Sequence, residues 1–203
     1  MTGFVLLLGS YLLGSIPFGL IVGKLWGSVD VREHGSGNIG TSNVMRTVGK
    51  AAATVVLVLD VLKGAVPVAA AQGLGLSDWT VAAAGFGAVA GHVWSVFLKF
   101  NGGKGIATAL GVALALDLRV AAALLAVWAL VVFATRYISV ASLTGAVAMP
   151  VLLWALGHGP QYVASAALIS LLAFWRHRSN LSRLLAGTEY RFGERATERM
   201  ERR

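Results

Sequence analysis

Residues 105–135 read GIATALGVALALDLRVAAALLAVWALVVFAT. Whether this stretch is one helix or two decides the fold. As one helix it would run roughly 46 Å at the usual rise per residue, against a hydrocarbon core of about 30 Å. Asp117-Leu118-Arg119 stands in its middle. Charges are costly inside a bilayer, so this tripeptide reads as a turn at the interface. The stretch then divides into two segments, 105–116 and 120–135. Both fall near or below the roughly 17–25 residues that a full crossing needs, so their ends borrow flanking residues or sit in a protein-lined environment.

Outward from there, apolar stretches lie at 3–23, 51–76, 79–98, 137–157 and 161–175, the last also short. The expected fold is an all-α integral membrane protein with about seven transmembrane helices. The first cation is Lys24, so the N-terminus lacks the basic region of a cleaved signal peptide and the first segment is expected to stay as a helix. Alternate loops hold Arg32, Arg46, Lys50, Lys99, Lys104, Arg136 and the Arg-rich end from Arg176 onward, while the other set holds Arg119 with Asp78 and Asp117. By the positive-inside rule the cationic set is cytoplasmic, with the N-terminus outside and the C-terminus inside. The polar segments near 27–50, 99–108 and 176–193 then share one membrane face. Residues 1–193 read as one polytopic domain, and 194–203 as a charged cytoplasmic tail.

Composition agrees with this class. Of the 203 residues, 57% are hydrophobic and 13% charged, against roughly 45–50% and about 25% in soluble globular proteins. Together with a mean hydropathy of +0.74, this excludes a disordered or nucleic-acid-binding chain and argues against an ordinary soluble enzyme. The net charge of +8 fits cytoplasmic loops and anionic lipid. Cysteine is absent, which removes disulfides, thiolate nucleophiles and Cys-based zinc sites. No His/carboxylate cluster has metal-ligand spacing, and neither a metal nor a cofactor is expected. The sequence is compatible with a monomer and fixes no oligomeric state.

Three polar segments can carry chemistry. In 34–49, HGSGNIGTSNVMRTVG, three glycines within six residues let the backbone approach a ligand closely. Successive free N–H groups make an anion-binding concavity, a helix opening at Ser42 or Asn43 favours phosphate, and Arg46 supplies a planar donor fork. In 99–108, KFNGGKGIAT, a Gly-rich turn surrounds Lys104 before another helix. Neither segment is a Walker A loop. In 177–189, HRSNLSRLLAGTE, a helix over 175–186 would put His177, Asn180 and Leu184 on one face, and Gly187 reads as its terminator. The cationic face also fits a helix lying on the bilayer surface, which leaves His177, Asn180 and Glu189 unexplained.

Other positions are simpler. Asp60 and Lys63, three apart in the second span, form an expected ion pair; His92 is expected to hydrogen-bond between helices. Ser139 and Ser142 begin the sixth span near the cytoplasmic face, within reach of a ligand there. His158 lies on the outer side and is expected to be uninvolved. Gly19/Gly23 and Gly87/Gly91 fit tight helix packing. No His is followed five positions later by Asp, and neither HExxH nor G-x-S-x-G occurs.

GSIPFG at 14–19, GSGNIGTSNVMRTVG at 35–49, GHVWSVFLKFNGGKGIAT at 91–108 and HRSNLSRLLAGTE at 177–189 together resemble the bacterial acyl-phosphate:glycerol-3-phosphate acyltransferases, the PlsY family. The resemblance runs from about residue 9 to 192 in order and spacing; Ser42 stands where the family often has Ala. It implies a multi-pass enzyme of the bacterial inner membrane with a cytoplasmic active site. The reaction implied moves a fatty acyl group from acyl phosphate, the lipid donor, to the 1-hydroxyl of sn-glycerol 3-phosphate. That is the first step of phospholipid synthesis, and it uses neither acyl-CoA nor acyl carrier protein directly. By position, Ser36, Arg46, Lys104, His177 and Asn180 fall to catalysis. Gly37, Asn38, Gly40, Thr41, Asn43, Gly102, Gly103, Gly105, Thr108, Ser142 and Glu189 fall to substrate binding. His177 has the ordinary pKa of a general base near neutrality; the rival is a substrate phosphate oxygen that takes the hydroxyl proton itself. A phosphate-ester transporter would share the cationic loops but needs polar residues threading several spans, and only Asp60, Lys63 and His92 lie deep.

Overall fold

The computed structural model describes residues 2–193, so the charged run 194–203 lies outside the described residues. These form ten α-helices and no strand: α1 (Thr2–Ser15), α2 (Phe18–Gly27), α3 (Thr41–Thr47), α4 (Lys50–Gly73), α5 (Asp78–Val93), α6 (Ile106–Leu116), α7 (Leu118–Thr135), α8 (Ile138–Ala155), α9 (Pro160–Arg176) and α10 (Arg178–Leu185). A single 3₁₀ turn lies at Val96–Leu98. Five stretches are long and apolar enough to cross a membrane: Thr2–Gly27, Lys50–Gly73, Asp78–Leu98, Leu118–Thr135 and Ile138–Ala155.

The deciding stretch is two helices. Asp117 leaves the helical region at φ −160°, ψ 118°, and its carboxylate accepts the Arg119 N–H at 2.8 Å, the N-cap geometry that starts α7. With 11 residues, α6 is only about 16 Å long and packs on α4 and α7 as a half-length element. His158 also reaches the Asp117 carboxylate, at 3.0 Å, so it braces two turns on the side away from the three polar segments.

The first apolar segment, expected as one helix, is broken. Pro17 lacks an N–H and pushes Ile16 out of the helical region, which ends α1 and restarts the chain as α2. The Ile16 carbonyl freed by the break accepts Lys63 Nζ at 2.9 Å, and Lys63 also pairs with Asp60 at 2.8 Å. The ion pair thus exists, and the break explains why a cation is placed there.

α1 packs on α5, α4 on α6, and α7, α8 and α9 pack in series. Close approach needs glycine at the first two contacts. A Cβ at Gly91 would lie 2.2 Å from the Tyr11 carbonyl, and one at Gly111 would lie 1.9 Å from that of Val61. The expected Gly19/Gly23 contact is different in kind. Gly19 faces the Ile39 carbonyl and Gly23 faces Val31, so this pair seats the 28–40 loop on α2, not a helix on a helix; Gly87 has ordinary room.

The main core gathers Val68, Val89, Val112, Leu124, Met149, Leu153 and Ile169 from α4 to α9. A second cluster joins Val22, Val31, Ile39, Val44, Val56 and Leu98; it anchors the first polar segment with fully buried Val31 and Val44. Phe4, Leu25, Leu130, Phe133 and Trp154 point outward, the surface that lipid requires.

Candidate functional site

The first polar segment folds around Asn43. Its Oδ1 accepts the Ser36 N–H at 2.8 Å, and its Nδ2 donates to the carbonyls of Val31 at 2.7 Å and His34 at 3.1 Å. Asn38 Oδ1 accepts the Gly40 N–H at 2.8 Å. Three N–H groups of the loop are thus taken internally, those of Ser36 and Gly40 by the two asparagines and that of Gly37 by the His34 carbonyl at 3.1 Å. Asn43 shapes the loop, and Gly35 is required beside it: φ is +61°, and a Cβ would meet Asn43 Oδ1 at 2.4 Å. The helix starts at Thr41 with Gly40 as its cap, ahead of the expected Ser42 or Asn43. It presents Arg46, whose guanidinium lies 4.6 Å from the Tyr190 ring centre and donates to Ser36 Oγ at 3.3 Å.

In the second segment the glycines serve packing. The N–H groups of Gly102 and Gly103 donate to the carbonyls of Val93 and His92, each at 3.0 Å. A Cβ at Gly102 would lie 2.0 Å from the His92 carbonyl, and one at Gly103 would lie 2.1 Å from His92 Nε2. Their own carbonyls accept Arg176. Lys104 is left to project forward, and its Nζ donates to Asn180 Oδ1.

The third segment is not one helix over 175–186. α9 ends at Arg176 and α10 starts at Arg178, with His177 at the joint. Gly187 ends α10 as expected. It has φ +68°, its N–H reaches Leu184 O at 3.1 Å, and the Thr188 N–H reaches Arg183 O at 2.8 Å, a Schellman closure. The chain returns over the site, and Asn180 Nδ2 donates to Glu189 Oε1 while Arg183 Nε meets Oε2 at 2.7 Å. The Glu189 carboxylate is thus occupied by Asn180 and Arg183. Facing a phosphate it would repel; here it orients Asn180, which in turn holds Lys104.

These groups surround one cavity of about 360 Å³, within the size range of small-molecule sites. Its polar end holds Ser36, Asn38, Gly40, Thr41, Arg46, Lys104, His177, Asn180, Arg183, Glu189 and Tyr190. Ser139 and Ser142 on α8 border it, and the wall continues into apolar Leu110, Leu124, Trp128, Met149 and Ile169. Leu57 and Leu125 line it while exposed on the outer surface, so the cavity opens sideways toward lipid. The Thr41 and Ser139 hydroxyls and His92 Nδ1 line it as buried atoms without a hydrogen-bond partner. His92, expected to bond between helices, instead stands 3.7 Å from Asp60 Oδ1.

Gly37, Gly102, Gly103 and Thr108 do not line the cavity. Thr108 is fully buried, with its carbonyl against Gly64 of α4. Sequence reasoning missed Arg183, Tyr190 and Phe192. Arg183 pairs with an acid six residues on, which is a legible signal. The Tyr190 hydroxyl donates to Gly35 O across 155 positions, for which no local signal exists.

Two titrations matter. Burial pushes the Lys104 ammonium down to about 8; Glu189 opposes the shift, and Arg183, Arg46 and Arg176 add to it. Burial, then the Lys104 charge, pushes His177 down to about 4. A carbonyl only accepts, so the 2.7 Å contact of His177 Nδ1 with Ala173 O places the ring proton on Nδ1. Nε2 is then a weakly basic acceptor.

The family pattern of glycerol-3-phosphate acyltransferases matches residues 4–187. A glycerol-3-phosphate acyltransferase of Thermus thermophilus is 49% identical over 193 residues, 95% of this chain and 96% of its own. One from a Synechococcus strain is 45% identical, with 96% and 98% covered. The crystal structure of PlsY (YgiH), an integral membrane glycerol 3-phosphate acyltransferase, in its glycerol 3-phosphate form superposes with a TM-score of 0.91. It is 41% identical and covers 95% of this chain and 96% of that one. The lysophosphatidic acid form gives a TM-score of 0.89 at 40% identity.

Proposed function

Because the chain belongs to the glycerol-3-phosphate acyltransferase family, we propose that it moves a fatty acyl group from acyl phosphate to the 1-hydroxyl of sn-glycerol 3-phosphate. The products are 1-acylglycerol 3-phosphate and inorganic phosphate. The observation that carries this reading is the form of the cavity. One end is cationic, with Arg46, Lys104 and Arg183, and it runs without interruption into an apolar chamber that opens sideways between Leu57 and Leu125. A phosphorylated acceptor and an amphipathic donor need that combination.

The glycerol hydroxyl oxygen attacks the acyl carbonyl carbon, the carbon–oxygen bond to phosphate breaks, and phosphate leaves. Acyl phosphate is an activated anhydride, so positioning and charge stabilisation supply most of the rate. Lys104, held by Asn180, and Arg46, held by Ser36 and Tyr190, neutralise phosphate oxygens at the polar end. With a pKa near 4, His177 is a poor proton acceptor at neutral pH. The hydroxyl proton passes to a phosphate oxygen of the substrates, while His177 Nε2 accepts a hydrogen bond and orients the acceptor. Thr41, Ser139 and Ser142 line the passage between phosphate and acyl ends.

We propose a bacterial inner membrane location with seven crossings, the half-length α6 and the 17-residue α9 joining the five longer stretches. The N-terminus is outside and the site cytoplasmic; residues 1–193 form one unit and 194–203 a cytoplasmic tail. A reporter fused after Arg203 should read cytoplasmic, and one inserted beside Asp78 should read external; a cytoplasmic Asp78 overturns the orientation. Purified protein given acyl phosphate and glycerol 3-phosphate should release phosphate in the presence of a chelator and without coenzyme A. A strict requirement for acyl-CoA or a divalent ion would sink the reading.

A further inference from the structure

The α8 residues that line the cavity are Ile138, Ser139, Ser142, Gly145, Ala146 and Met149, one helical face that turns from polar to apolar at Gly145. Glycine inside a helix costs about 1 kcal/mol relative to alanine, so its presence needs a reason. Elsewhere the reason is packing: at Gly14, Gly64, Gly91 and Gly111 a Cβ would fall within 2.2 Å of a neighbouring carbonyl oxygen. Gly145 has no such neighbour. A Cβ there meets nothing within 4 Å, and its φ is not positive. Gly9 of α1 is similarly unconfined, but it does not line the cavity. Neither packing nor backbone conformation therefore calls for glycine at 145. What a side chain would occupy is the cavity itself, one turn below Ser142 and about 9 Å along the axis from Ser139.

We infer that Gly145 is a specificity-determining position: its missing side chain leaves the room through which a long acyl chain passes from the polar end toward Met149. This rests on the acyl-phosphate reading above. The class of donor admitted is a long-chain acyl phosphate, and Leu124, Trp128 and Ile169, which line the same cavity, bound its width. Because a Cβ at 145 meets nothing within 4 Å, an alanine there enters ligand space without displacing protein, and it improves helix propensity.

The test compares wild type, Gly145→Ala and Gly145→Leu with a donor series from butyryl to palmitoyl phosphate. Gly145→Leu should lose palmitoyl transfer relative to butyryl transfer by roughly tenfold or more, the factor that even one misplaced methylene can produce in a filled site. Its KM for glycerol 3-phosphate and its thermal midpoint should be unchanged or improved. Gly145→Ala should shift the profile in the same direction by less. A wild-type donor profile in Gly145→Leu overturns the inference. So does a Gly145→Leu that is inactive with every donor beside a Gly145→Ala of wild-type profile. If wild type itself transfers from no acyl phosphate, the parent reading fails instead.

Discussion

Lys104→Ala should lower kcat/KM for glycerol 3-phosphate by roughly 10- to 150-fold. That is the range for losing one charge-assisted contact worth about 1.5–3 kcal/mol in a partly desolvated site. The loss should appear chiefly in the Michaelis constant for glycerol 3-phosphate and less in that for the donor. The same side chain dictates the alkaline limb of the pH profile. Burial holds the ammonium near pKa 8, and the charged form is the one that binds phosphate. Activity of the free enzyme, read as kcat/KM, should therefore be full below that value and fall as pH rises through about 8. A bound phosphate favours the ammonium, so the limb in kcat should lie higher. Glu189 raises the Lys104 pKa; Glu189→Gln should accordingly move the kcat/KM limb to lower pH while the amide still accepts from Asn180. A kcat/KM flat across pH 7–10 together with near-normal kinetics of Lys104→Ala would place the phosphate site elsewhere.

The helix count around residues 105–135 was legible because length and charge speak together there. A single helix is too long for a bilayer, and Asp117-Arg119 marks the break that its N-cap bond then makes. The break at Ile16-Pro17 carries an equally plain local signal, yet hydropathy hides it, since apolar residues continue on both sides. The cationic members of the site were legible as residue types in three polar segments. Their division of labour was not. Gly102 and Gly103 look like ligand-facing groups in a linear reading, but their partners, His92 and Val93, come from another part of the chain, whereas Asn43 both lines the cavity and braces the loop through Val31. A Gly-rich segment has the same composition whether it wraps a phosphate or lets two backbones touch; only tertiary distance separates them. Glu189, placed by position among the substrate-binding residues, instead engages Asn180 and Arg183, a pairing that only the fold reveals.

Lys63→Met should be the most destabilising of the polar substitutions, at about 3–5 kcal/mol, the cost of leaving one partner of a buried ion pair uncompensated. In a chain of this size that corresponds to a fall in thermal midpoint on the order of 10 °C. Both side chains are buried, at 2% exposure each, and the Lys63 ammonium is shared between Asp60 Oδ1 at 2.8 Å and the Ile16 carbonyl at 2.9 Å. Methionine keeps the length of the chain and removes both contacts, so the Asp60 carboxylate loses its cation and the Ile16 carbonyl loses one of its two donors, the other being the Phe18 N–H at 3.1 Å. Part of that cost belongs to the charge and part to the carbonyl, and a second variant separates them. In Asp60→Asn/Lys63→Met no unpaired carboxylate remains, whereas the Ile16 carbonyl keeps only the Phe18 N–H, at 3.1 Å. The double variant should therefore recover a large share of the stability and still fall short of wild type by about 1.5–3 kcal/mol, the worth of the one hydrogen bond from a charged donor that it lacks. Thermal unfolding in detergent, followed by retention of the monodisperse peak, reads both. If the double variant loses the sum of the two single losses, the two residues act independently. Lys63 would then be a packing residue, and the α1–α2 break would stand without it.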